Sequence, residues 1–194
     1  PLADALLRRH DYQPEIARLS GEAMALAAGL AAALKFEGSF SLQAKGDGPL
    51  SMLLADCTHA GALRGYAKVN QEGFAALQAP SAATLLGKGY LAFTCDQGPD
   101  MDRYQGIVAI EGETLTEMTR GYFRNSEQLD TYLKLACEET SAGWRASALL
   151  LERVASAGGL EQQMDQEQQQ EAWQTATILA RTISTQELLD DTLS

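Results

Sequence analysis

The 194-residue chain carries 26 acidic against 15 basic residues, a formal net charge of −11, and 45% apolar residues. That charge repels nucleic-acid phosphates and anionic lipid headgroups, which proteins hold mainly through Lys and Arg, and the apolar content is too high for a chain disordered throughout. The length suits one main core with an appendage, and neither nucleic acid nor a membrane is an expected partner.

The first ten residues include Asp4, Arg8 and Arg9 but no apolar stretch of the secretory type, so the expected location is the cytoplasm. The chain opens on Pro1 and not on methionine, so its first residue need not be the gene's first. Pro14 suits a first helical turn, and Ile16, Leu19, Ala23, Leu26, Ala27, Leu30 and Leu34 keep a 3.6-residue spacing that predicts a helix from Glu15 to Lys35. Its most apolar stretch, Ala23 to Leu34, would be ~18 Å long as a helix, well short of the roughly 30 Å hydrocarbon core. The many alanines give it a thin surface suited to close packing against a sheet.

Short β-type runs follow. Ser39 to Ala44 and Leu50 to Asp56 flank the turn residues Gly46-Asp47-Gly48-Pro49, the pattern of a hairpin. Leu63 to Val69 is a third strand, and residues 70–88 form a connector with a helical turn. Tyr90 to Cys95 and Tyr104 to Ile110 make another pair across Asp96 to Asp100. Thr114 and Glu117 have capping-box spacing and open a helix to about Arg124, with Leu115, Met118, Tyr122 and Phe123 on its apolar face and Asn125-Ser126-Glu127 as its stop. Tyr132 to Cys137 and Trp144 to Val154 are read as a last hairpin completing the sheet. The fold class expected is α+β, a mostly antiparallel sheet packed with helices and followed by a helical linker segment. Residues 1–155 form the body and 156–194 the linker. Within the latter, Ser156 to Gly159 read as a hinge and Gln162 to Gln170 as a solvated, glutamine-rich run. Apolar spacing returns at Trp173, Ala176, Ile178, Leu179 and Ile183, and Ser184-Thr185-Gln186-Glu187 is a further capping box.

Candidate chemistry is sparse. Cys57, Cys95 and Cys137 lie in apolar runs without C-x-x-C spacing, which favours reduced thiols filling the core over a zinc site or a disulfide framework. Gly87-Lys88-Gly89 lacks the spacing and the Ser or Thr of a phosphate loop and reads as a tight turn feeding a strand. Cys57 and His59, two apart with Asp56 beside them, would share one side of a strand as a thiol–imidazole pair, yet Thr58 to Gly61 reads more naturally as a strand end entering a turn. His10 beside Asp11 reads as a surface histidine. Glu111, Glu113 and Glu117 sit where a helix dipole favours negative charge, so they need no metal or acid–base role.

Several runs are similar in order and spacing to the 33-kDa heat-shock chaperonin family. They are Leu34-Lys35-Phe36-Glu37-Gly38, Gly46-Asp47-Gly48-Pro49-Leu50, Leu63-Arg64-Gly65-Tyr66-Ala67, Leu86-Gly87-Lys88-Gly89-Tyr90-Leu91, Arg103 to Val108, and Tyr122 to Leu129. Thr182 to Leu189 also looks like that family's linker. The resemblance implies an ATP-independent, redox-regulated holdase that binds unfolding client proteins and forms a homodimer through its linker. It also implies a C-terminal zinc domain with four cysteines in C-x-C and C-x-x-C pairs. No position here matches those cysteines, so no cofactor is expected in this chain, and zinc is expected only in an intact member. Trp173, Ile178, Leu179 and Ile183 are the candidate client-binding residues, with packing on the sheet or on a second subunit as the competing role. A thiol-dependent hydrolase using Cys57 and His59, or an inactive interaction module with the same fold, is the alternative function. No residue is assigned as catalytic.

Overall fold

A computed structural model describes residues 2–33, 37–98, 101–124, 131–153 and 166–190. The elements run α1 (Leu2–Leu7), α2 (Pro14–Ala32), β1 (Ser39–Gly46), β2 (Leu50–Thr58), β3 (Leu63–Val69), α3 (Gln71–Ala75), α4 (Ala82–Leu86), β4 (Gly89–Asp96) and β5 (Tyr104–Ala109). After these come α5 (Leu115–Tyr122), β6 (Thr131–Thr140), β7 (Gly143–Glu152), α6 (Gln166–Thr182) and α7 (Thr185–Leu188). The class is α+β with antiparallel strands, as the patterning predicts. Leu34, the 125–127 stop and the 156–159 hinge lie outside the described residues.

One expectation is corrected. The β6–β7 hairpin does not complete the sheet: strands β3-β2-β1-β4-β5 form one five-stranded sheet, and β6-β7 form a separate two-stranded one. Helix α2 lies between them and packs on β1, β2 and β3 on one side and on β6 and β7 on the other. This is why alanine is so frequent in it. Eleven of its nineteen residues are buried, including Ala17, Ala23, Ala27 and Ala31, since a helix covered on two sides has little room for long side chains. Gly21 marks the tightest approach, where an added Cβ would collide with Cys137 Sγ.

The core face of the large sheet follows from the register. The row Gly65–Ala55–Leu42–Phe93–Gly106 and the next, Ala67–Leu53–Ala44–Leu91–Val108, point toward α2 and α5. Phe93 stacks on Tyr122 of α5 at 4.2 Å. At the sheet end, Gly46-Asp47-Gly48 crosses Leu86-Gly87-Lys88: the Asp47 amide donates to Lys88 O (3.0 Å), the Gly48 amide to Leu86 O (2.9 Å) and the Lys88 amide to Asp47 Oδ1 (2.6 Å). Side chains at Gly46 or Gly89 would strike the opposing backbone, so the glycine pattern serves a backbone crossing and not a phosphate.

The hairpin β6–β7 is pinned from both ends of the chain. Asp4 Oδ1 accepts from the Trp144 amide (2.9 Å) and from Arg8 Nε (2.7 Å). On the hairpin face away from α2, Tyr132 Oη donates to Ala180 O (3.2 Å), Lys134 Nζ to Ile183 O, and Arg145 to Leu189 O (3.3 Å). The molecule is therefore layered: large sheet, α2, small sheet, then α6 and α7.

Candidate functional site

The thiol–imidazole pair is not assembled. Cys57 points into the core with 3% of its surface exposed, and its thiol donates to the neighbouring Thr58 carbonyl (3.4 Å). His59 lies beyond the end of β2 in the turn, where its Nδ1 accepts from the Gly38 amide (3.1 Å). The two do not share a side of a strand, because the strand stops at Thr58. Burial, then the charge of Asp56, pushes the Cys57 thiol up, away from the thiolate a nucleophile needs. Burial and the Glu22 carboxylate push Cys137 up to about 12. The three cysteines are free thiols, and among the described residues no group of three or more His, Cys, Asp or Glu side chains is placed to hold a metal ion. Zinc therefore has no fit among them.

The acidic cluster is capping machinery. Glu117 Oε2 accepts from the amides of Glu113 (2.8 Å) and Thr114 (3.3 Å), while Thr114 Oγ1 accepts from the Glu117 amide (3.2 Å). Beside it, a cleft of about 300 Å³ is lined by Glu15, Arg18, Glu22, Leu85, Leu115 and Leu135, among others. Its lining contains no histidine or cysteine. Burial raises the Glu22 carboxyl to about 7, with Arg18 opposing the shift. His10 is exposed and stacks on Tyr12 at 4.8 Å.

Of the four residues expected to bind clients, Trp173, Ile178 and Leu179 lie on α6 and Ile183 directly follows it. Trp173 and Ile183 are half-buried, and with Ala176 and the buried Ala180 they keep the spacing of one helical stripe that faces the hairpin. Ile178 and Leu179, 59% and 62% exposed, lie off that stripe. The structure thus supplies packing for two of the four and an open apolar pair for the others.

A larger surface was not anticipated. The second face of the five-stranded sheet carries the rows Tyr66–Leu54–Gln43–Ala92–Ile107 and Lys68–Met52–Lys45–Tyr90–Ala109. Tyr66, Tyr90 and Ile107 are exposed on it, and Leu54 and Met52 are half-buried. Toward one end the polar groups pair with each other: Arg64 holds Asp56 with two bonds (2.6 and 2.7 Å), Arg103 holds Asp96 (2.7 Å), and Gln105 donates to Thr94 (2.8 Å). Lys45 and Lys68 form no ion pair among the described residues, so this face is locally cationic on a chain of net charge −11. The signal in the sequence was the run Met52-Leu53-Leu54-Ala55, which stays apolar where a half-buried strand should alternate.

A family model described as Hsp33 protein matches residues 1–194. The chain belongs to the Hsp33 family. It is 42% identical over 199 residues to the 33 kDa chaperonin of Caulobacter vibrioides, covering 98% of this chain and 64% of that one. The 33 kDa chaperonin of Ectopseudomonas mendocina is 39% identical over 184 residues, covering 95% of this chain and 59% of that one. The chain thus spans somewhat under two thirds of the length of these relatives. The crystal structure of the 33 kDa chaperonin from Thermotoga maritima superposes with a TM-score of 0.63 at 23% identity, covering 75% of this chain and 51% of that one, which shows a shared fold.

Proposed function

We propose that this chain is the client-holding body of an ATP-independent holdase chaperone of the cytoplasm, with no enzymatic activity. The observation that carries the reading is the open apolar face of the five-stranded sheet, set in a strongly acidic molecule. Exposed apolar surface binds unfolding chains and net charge keeps the complex soluble. The exposed side of α6, with Ile178 and Leu179, is a second holding surface on the far side of the molecule, and Trp173 and Ile183 seat that helix. Residues 1–155 act as the body and 156–194 as a linker that also carries the homodimer contact. ATP independence is supported by the structural use of Gly87-Lys88-Gly89 in the backbone crossing. Redox regulation through zinc belongs, in this reading, to cysteines of an intact family member and not to Cys57, Cys95 or Cys137.

The test is light scattering from a heat-unfolded client protein with and without the chain, under dithiothreitol and under peroxide. Suppression of aggregation in both conditions is expected, because the three thiols here have no sensor arrangement. No suppression in either contradicts the reading. Replacing Trp173 and Ile178 with serine lowers the holding capacity, and capacity unchanged with the fold intact removes α6 from the reading.

A further inference from the structure

The two edges of the five-stranded sheet are treated differently. At β3 the edge carries Arg64 and Lys68, its pairing with β2 shifts register between Leu50 and Met52, and its Ala67 amide donates to Tyr12 Oη (2.9 Å). Charges, irregular pairing and covering side chains are the means by which proteins stop a further strand from adding. The β5 edge, Tyr-Gln-Gly-Ile-Val-Ala, has no charged residue and no proline. The Ile110 amide donates to Gly89 O (3.0 Å), which fixes the phase of the ladder with β4. Tyr104, Gly106 and Val108 therefore bond inward, and Gln105, Ile107 and Ala109 turn their N–H and C=O groups outward. All three are exposed, and among the described residues none pairs with a further strand. The edge is held from beneath by the Tyr122 ring, which lies against Gly106 so closely that a Cβ there would collide with it.

We propose that β5 captures an unfolding client as an added sixth strand. An extended, uncharged stretch of client backbone bonds to the outward groups of Gln105, Ile107 and Ala109 and lays alternate side chains beside Ile107 on the open face. This inference rests on the holdase reading and names the client feature recognised: extended backbone with apolar side chains in alternation, a feature independent of any one sequence. In that reading a second copy meets the chain through the linker, and α6 and α7 lie beyond α2 and the small sheet from β5, so this edge is left to a client strand.

The experiment is residue-resolved amide hydrogen exchange on the chain with and without reduced, carboxymethylated α-lactalbumin, a permanently unfolded probe. The amides of Gln105, Ile107 and Ala109 slow by about tenfold or more on binding, while those of Gly65 and Val69, which face outward at the other edge, keep their free-chain rates. Ile107→Pro, which deletes an outward donor and no bond to β4, weakens probe binding about five- to tenfold relative to Ile107→Ala, which keeps the donor. If the chain holds the probe while these amides exchange at the free rate, the edge inference fails and the holdase reading stands. If the chain does not bind the probe at all, the holdase reading fails first and takes this one with it. Protection already present without probe, and rising with chain concentration, assigns the edge to a second copy and overturns the proposal. Should Ile107→Pro fail to fold, the exchange of the unaltered chain decides alone.

Discussion

The two faces of the five-stranded sheet differ in what lies above them more than in how apolar they are. Leu53 and Leu54 are neighbours in β2, yet Leu53 is fully buried beneath α2 while Leu54 lies on the face that no described helix covers. Burial follows the helix at this pair, and on the uncovered face the small Ala92, between Gln43 and Ile107, is buried while the larger apolar side chains stay half-buried or exposed. In the proposed reading, folding stability and client holding lie on opposite sides of one sheet, so each can be changed with limited effect on the other.

The largest effect is expected where that division is tested directly. Leu53→Ala leaves a cavity under α2 and lowers the unfolding free energy by about 2–5 kcal/mol, whereas Leu54→Ser changes it by less than about 1 kcal/mol. Urea melts of the two variants measure this, and equal losses would break the comparison.

Glu22 sharpens it, because it marks a place where the covered side is imperfectly sealed. Its folded carboxyl keeps its proton up to about 7 because of burial, while the unfolded chain releases it at the ordinary glutamate value. Between those values the folded state binds more protons, so stability falls as pH rises and the whole loss is in place above about 7. Glu22→Gln is expected to match the parent near pH 4 and to exceed it by up to ~3 kcal/mol at pH 8. A constant difference across that range would show that Glu22 titrates in the folded chain as it does in the unfolded one.

A smaller effect concerns the layer that covers α2 from the other side. The Trp144 amide, followed by Arg8, holds the Asp4 carboxyl below its ordinary value. The stability it contributes is present above the unfolded carboxylate range and is lost as pH falls through the lowered folded value. Asp4→Ala therefore lowers the thermal midpoint at neutral pH, and the gap to the parent closes on acidification. A gap that persists in strong acid would mean that packing, and not the charged cap, is what Asp4 supplies.

Much of this architecture was readable from local pattern. Leu63 to Val69 has the predicted limits, and the capping boxes at Thr114 and Ser184 form as their spacing implies, since caps depend on residues three apart. Helices α1, α3 and α4 went unread or blurred because six or five residues are too few to show a period. The placement of β6–β7 was not legible because a strand's alternation shows that it has a partner but not which one. The apolar character of α6 was readable, but not which side of it packs, as Trp173 and Ile178 show. The open sheet face was missed for a related reason: Tyr66, Tyr90 and Ile107 are unremarkable singly, and only the register gathers them on one surface.

The most direct measurement of the central claim is light scattering from a heat-unfolded client in the presence of the chain and of a variant carrying Tyr66→Ser, Tyr90→Ser and Ile107→Ser. The account predicts that the variant keeps the parent's circular dichroism and urea midpoint and loses most of the suppression. Parent-level suppression by a folded variant would contradict it and move client holding off the open face.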